Sequence, residues 1–278
     1  MPTVVSTGAR FVRLYAGASK PGLFWLTPDT PQSRVFRHLG SEQQLVCLRS
    51  PPVAADRPPP SLQELARFYA DSVMEAGVKG PVALTGFCIA AVLAREVAIE
   101  LQGRGVEIRA VVMIDPPDPA ESRAAVSGTP LGHRLRVALR RIGLHLGRIV
   151  KLGPRGGLEY VRGSLHGIWK RIHYQRSKRA HEQAMASGQG TDPAYTDDYL
   201  LSVAAFMNAS PRVWDGRATI IRPTDAPWGV FDYPNLRWRE LIRGGVEIVE
   251  VPGSSDTMWQ EPAVSAMAQA VKRFSAPG

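Results

Sequence analysis

Short, continuously apolar runs alternate along this chain with longer segments in which apolar residues recur every three or four positions. The runs are Gly22–Leu26, Gln44–Leu48, Val82–Leu84, Ile108–Ile114, Ala218–Arg222 and Gly245–Val251. Each is too short for a helix and has no polar alternation, so each predicts a strand buried on both faces. Ser61 to Glu64 has the spacing of a capping box and opens a helix to about Ala76, with Gly77 as its stop. A second helix follows Cys88 and ends near Gly103 to Gly105, and a closing helix runs from Ala263 to Phe274. The five prolines between Pro51 and Pro60 mark a loop. Strands alternating with helices predict an α/β fold: a mostly parallel sheet with helices on both faces.

Between about residues 120 and 208 the pattern turns helical and basic. Leu135, Ala138, Leu139, Ile142, Leu146 and Ile149 define one apolar face, and Arg134, Arg141, His145 and Arg148 fall largely off it. Glycine-rich breaks follow at Gly153 to Gly157 and Ser187 to Gly190. The α/β pattern resumes afterwards, so this stretch reads as an insertion within a single domain spanning residues 1–278. No internal repeat is visible.

Charge sharpens that picture. The net charge is +9, yet the segment from His133 to Ala180 alone carries 13 Arg or Lys against one acid, Glu159. The basic block is therefore local. No nucleic-acid motif or pattern of aromatic and basic residues accompanies it, so nucleic acid is not an expected partner. No run of 18 or more apolar residues occurs, and the N-terminus lacks the basic start and apolar run of a signal peptide. Two cysteines, Cys47 and Cys88, make no disulfide framework, and the expected compartment is the reducing cytoplasm. Cys47 lies in an apolar strand, where core packing is its expected role.

The chemistry centres on Cys88. Pro81 to Ala91 reads as a buried strand, a sharp turn and a helix start, with Gly86-Phe87-Cys88-Ile89-Ala90 in the context of a nucleophile elbow, Gly-x-Ser-x-Gly. Cysteine takes the place of serine, and alanine, the smallest alternative, that of the second glycine. A helix N-terminus behind the thiol favours its thiolate. The plain alternative is a buried, inert cysteine. Asp115 ends the next strand, at the sheet edge where open α/β sheets bind ligands. It is either the reaction's acid or a turn former before prolines. Asp225, after a later strand, is a second candidate acid. All six histidines lie at or before His181, so the loop after the final strand, Val251 to Met258, contains none. It offers Ser255, which is no base near neutral pH, and Asp256, which is at most a weak one.

These residues together resemble the thioesterase domains and stand-alone thioesterases of nonribosomal-peptide and polyketide assembly lines, members of the α/β-hydrolase superfamily. The similarity runs through Leu23 to Leu26, Gly86 to Ala90, Met113 to Asp115, Trp214 to Thr219, Leu236 to Glu240 and Val251 to Met258. It implies an α/β-hydrolase-like sheet with a helical lid over about residues 120–208. By position, Cys88 replaces the nucleophilic serine, Asp115 matches the triad acid and Ser255 stands at the degenerate triad histidine position. The backbone N–H groups of Ile89 and Asp29 match the oxyanion hole.

A serine hydroxyl is inert without a base, whereas a thiol is partly ionised near neutral pH. Transfer of an acyl group between thiols is nearly isoenergetic, while hydrolysis requires deprotonated water. The expected activity is thus cysteine-dependent acyl transfer or cyclisation on an acyl or aminoacyl thioester, with poor hydrolysis. The alternative is an inactive homologue that binds an acylated carrier protein. A lid histidine, His133, His166 or His173, is a further candidate to reach Cys88. The expected partners are an acyl or peptidyl carrier protein docking on the basic lid and a small-molecule amine or thiol as acceptor. A membrane is a less favoured partner. The carrier's phosphopantetheine arm would bring the substrate, with no metal and no permanently bound cofactor expected.

Overall fold

The computed structural model describes residues 6–15, 22–27, 32–40, 43–51, 60–77, 80–117, 212–224, 236–255 and 257–275, with isolated positions between 146 and 206. Eight strands form one sheet: β1 (Ser6–Thr7), β2 (Phe11–Tyr15), β3 (Gly22–Leu26), β4 (Leu45–Leu48), β5 (Val82–Phe87), β6 (Ile108–Ile114), β7 (Ala218–Pro223) and β8 (Val246–Val251). Their order is β1-β2-β4-β3-β5-β6-β7-β8. From β4 to β8 every neighbour is parallel, while β1 and β2 add an antiparallel edge. The chain therefore places two strands before the run at Gly22, which the apolar pattern read as the first. β2 is interrupted at its centre by Arg13, whose guanidinium donates to the carbonyl of Ala76, so it lacks the continuous apolar signature.

Five helices are described: α1 (Ser33–Leu39), α2 (Leu62–Glu75), α3 (Ile89–Gly103), α4 (Leu236–Leu241) and α5 (Ala263–Ser275). The capping box at α2 forms, with Ser61 Oγ accepting from Glu64 N at 3.2 Å and Glu64 Oε2 accepting from Ser61 N at 2.7 Å. Gly77 stops it at φ 64°, a conformation that favours glycine. α1 carries no such signal, because its N-cap, Gln32, makes no side-chain cap bond.

The pleat sorts side chains to two cores. Phe24, Leu26, Val46 and Leu84 face the layer of α2 and α3. Leu23, Trp25, Cys47 and Ala83 face that of α1 and α5. Strands covered on both faces need apolar residues at every position, which is why their runs are continuous. Burial pushes the Cys47 thiol up to about 12, as expected for a packing residue.

Most of the basic insertion, including His133, His145, His166, His173 and His181, lies outside the described residues. Ala205 and Phe206 are buried in the α2/α3 core. Leu146, which the periodicity assigns to the insertion's packing face, is instead 58% exposed. The exit from the insertion is clamped to α3. Glu96, fully buried, accepts from Arg95 and from Arg212 Nε at 2.8 Å, and Trp214 Nε1 donates to Gln102 at 2.6 Å. Arg95 is also fully buried; it donates to the carbonyl of Arg212 and lies over the Trp238 ring at 5.5 Å.

Candidate active site

Cys88 joins β5 to α3 with φ 54° and ψ −119°, a left-handed conformation rare for a residue with a side chain. This is the strained strand-to-helix turn that lifts a nucleophile clear of the sheet. Its backbone N–H donates to the Ile114 carbonyl at 2.9 Å, which pins the turn to β6. Gly86 is required sterically: a Cβ there would lie 2.4 Å from the Ala90 carbonyl oxygen. The first glycine of the motif thus makes room for the helix to turn back, whereas Ala90 is accommodated beside the core. Cys88 is a half-buried thiol, in contrast to buried Cys47. Ile89 opens α3, so its N–H belongs to the first turn, where donors have no partner within the helix.

The register sets Asp115 beside Cys88. Phe87 and Ile114 are partners across β5 and β6, so the next residue of each strand stands at the same level of the sheet edge. Asp115 also has positive φ, at 45°, and its N–H donates to the Ile221 carbonyl at 2.7 Å. Its carboxylate Oδ2 accepts a 2.5 Å hydrogen bond from the Ser255 hydroxyl. The contact that a triad would make between acid and histidine is therefore made here between acid and serine.

Ser255 lies in the turn after β8, a turn with several internal ties. Thr257 N and Met258 N donate to the Ser254 carbonyl at 3.0 and 2.8 Å, and Ser254 N donates to Thr257 Oγ1 at 2.8 Å. Gly253 turns the chain at φ 99°. Trp259 Nε1 donates to the Ser255 carbonyl at 3.0 Å, and the Trp259 ring meets Phe87 edge-on at 4.9 Å. Trp259 thus links the Ser255 turn to the residue preceding Cys88. Trp259 belongs to no motif of the sequence and has polar neighbours on both sides of Met258-Trp259. Its one available signal was its place directly after the loop that carries Ser255.

Cys88, Asp115, Ser255 and Ile89 therefore gather at the C-terminal edge of β5, β6 and β8. Asp29, Asp225 and Asp256 lie outside the described residues. His38 belongs to α1 and pairs with Glu261 at 3.1 Å. Among the described residues no group of three or more metal-binding side chains occurs. No helix among them is long and apolar enough to cross a membrane.

Comparison with known proteins bears on the fold rather than on these side chains. Residues 21–153 match the family model of the thioesterase domain. Orsellinic acid synthase ArmB of Armillaria ostoyae is 33% identical over 107 residues, which cover 38% of this chain and 5% of that protein. The spectinabilin polyketide synthase system protein NorC of Streptomyces orinoci is 34% identical over 118 residues, 39% of this chain and again 5% of that protein. The chain thus corresponds to a small part of these large relatives. The fold is shared with the thioesterase domain of NocB from the nocardicin cluster, at TM-score 0.59 and 18% identity over 96% of this chain and 99% of that one. It is also shared with the Vlm2 thioesterase domain, at TM-score 0.57 and 22% identity over 97% and 100%. Residues 21–153 are thus similar in sequence to the thioesterase domain, and the fold of the chain is the one these solved thioesterase domains share.

Proposed function

We propose that the chain is a cysteine-dependent acyltransferase or cyclising thioesterase-like enzyme acting on an acyl or aminoacyl thioester carried on a phosphopantetheine arm. The observation that carries this reading is the pair formed at the sheet edge. A thiol occupies the strained elbow, and the neighbouring acid is engaged by a serine rather than a histidine. Support for the setting comes from relatives described as an orsellinic acid synthase and a polyketide synthase system protein, and from fold neighbours described as thioesterase domains.

In the proposed reaction the Cys88 thiolate attacks the thioester carbonyl, and the Ile89 N–H stabilises the resulting oxyanion. Collapse breaks the bond to the arm sulfur, which leaves as a thiolate and takes a proton from solvent. The acyl group then resides on Cys88. A neutral amine or a thiolate from the acceptor attacks the new thioester, Cys88 leaves as thiolate, and an amine acceptor releases its proton to solvent. Each nucleophile is competent without a protein base. Water is not, so hydrolysis of the acyl enzyme is slow. The carrier protein would dock on the basic insertion, whose charge steers an acidic partner.

The same Ser255–Asp115 bond favours a second reading, an inactive homologue that binds an acylated carrier. Intact-protein mass spectrometry separates the two. The chain and Cys88→Ala are incubated with acyl and aminoacyl phosphopantetheine thioesters, free and carrier-bound. A mass adduct on the wild type that is absent from the alanine variant supports covalent catalysis. Carrier binding with no adduct from any donor refutes it and leaves the binding role.

A further inference from the structure

Beside Trp259, α1 and the start of α5 border an open groove of about 570 Å³. Arg34, Arg37 and His38 line it from α1, and Trp259, Gln260 and Glu261 line it from the opposite wall. Residues three and four apart share a helix face, so the two guanidiniums and the imidazole open into one space. Arg34 spends one N–H on the Trp259 carbonyl at 3.3 Å. A guanidinium has five such donors, and their planar fork suits the oxygens of a phosphate. Glu261, the one acid among the described residues that line the groove, is held by His38 at 3.1 Å. The volume falls within the range of small-molecule sites, about 300–1,000 Å³.

We propose that this groove binds a phosphate ester through Arg34 and Arg37, and that its occupancy is transmitted to the reaction centre through Trp259. The path is short. Arg34 holds the Trp259 carbonyl, the Trp259 indole holds the Ser255 carbonyl, and its ring packs on Phe87 beside Cys88. A phosphate that draws Arg34 toward the groove changes the hold on Trp259, and with it the Ser255 turn. The phosphate can come from the carrier arm, in which case the site deepens the function proposed above, or from a free phosphorylated metabolite.

Isothermal titration calorimetry tests the binding with inorganic phosphate, pantetheine 4′-phosphate and unphosphorylated pantetheine, using the full chain with Cys88→Ala so that no acylation intervenes. Both phosphorylated ligands should bind more tightly than pantetheine. Arg34→Gln with Arg37→Gln should weaken them at least about tenfold, since each lost pair removes a charge-assisted hydrogen bond. Glu261→Gln should tighten them. A large preference for pantetheine 4′-phosphate over inorganic phosphate identifies the carrier arm as the source; equal binding identifies a free phosphate group. Affinity that is the same for pantetheine, or unchanged in the double variant, overturns the site. Coupling is read from the alkylation rate of Cys88 by iodoacetamide in the wild type. Phosphate should change this rate, and Trp259→Phe, which removes the indole donor, should abolish the change. A rate indifferent to phosphate overturns the coupling. These readouts do not depend on acyl transfer, so failure of the groove and failure of the proposed reaction are distinguishable.

Discussion

Replacing Ser255 with histidine should convert slow turnover of an acylated Cys88 into hydrolysis. The side chain at 255 already reaches Asp115, at 2.5 Å from Oδ2, and Asp115 stands beside Cys88 through the Phe87–Ile114 register. The backbone at 255 is held by Trp259 Nε1 at 3.0 Å, so the new imidazole would leave from the same fixed point. Asp115 would then fix its tautomer and leave the other ring nitrogen to take a proton from water. General base catalysis contributes about 10²–10⁴-fold, which at about 1.4 kcal/mol per tenfold is roughly 3–5 kcal/mol of barrier. The assay is single-turnover release of free acid from the acyl enzyme, followed by mass spectrometry at neutral pH. A histidine at half-buried 255 is overpacking with a cost of about 1–3 kcal/mol, so a melting curve must show that the variant is folded at the assay temperature. Adding Asp115→Asn to Ser255→His should remove most of the gain by allowing the wrong tautomer. Hydrolysis within about threefold of the parent, in a folded variant that still acylates, would refute the argument. It would mean that the pair at 115 and 255 is not directed at the thiol.

Three further outcomes follow from the geometry. Gly86→Ala should destabilise the chain by about 2 kcal/mol or more in urea unfolding, because the added methyl lies 2.4 Å from the Ala90 carbonyl oxygen and only backbone movement can relieve it. Glu96→Ala should cost about 3–5 kcal/mol by the same measurement, since it leaves the fully buried Arg95 guanidinium without its carboxylate. Cys47, with its thiol raised to about 12 from an ordinary 9.0, should resist alkylation at pH 8 in the folded chain, leaving Cys88 as the single site seen by peptide mapping. Its folded value lies above its unfolded one, so the associated stability is complete below pH 9 and is lost as the pH rises toward about 12. Between those limits denaturation curves should fall more steeply with pH than those of Cys47→Ala, by on the order of 1 kcal/mol per pH unit.

The amino-acid sequence by itself determined the strands from β3 to β8, the α2 cap, the elbow around Cys88 and the absence of a histidine after residue 181. Those features are local. Burial on both faces writes a continuous apolar run, a capping box needs residues three apart, and an elbow needs a strand, a small residue and a helix in immediate succession. β1, β2 and α1 were not legible, because each is short and is held by neighbours far along the chain: Phe11 pairs with Leu48, and α1 packs on α5. Pattern alone left Asp115 and Asp225 open as the acid, and only the family resemblance matched Asp115 with the position of Ser255. The contact of Asp115 with Ser255 spans 140 positions and exists only because β6, β7 and β8 lie in parallel order and bring their C-terminal ends to one edge. The buried Arg95–Glu96 pair within an apolar helix, and the place of Trp259 between the Ser255 turn and Phe87, were decided the same way. A buried charge or an indole N–H is tolerated only where a distant partner meets it, and the partner's identity is a property of the folded arrangement rather than of any one segment.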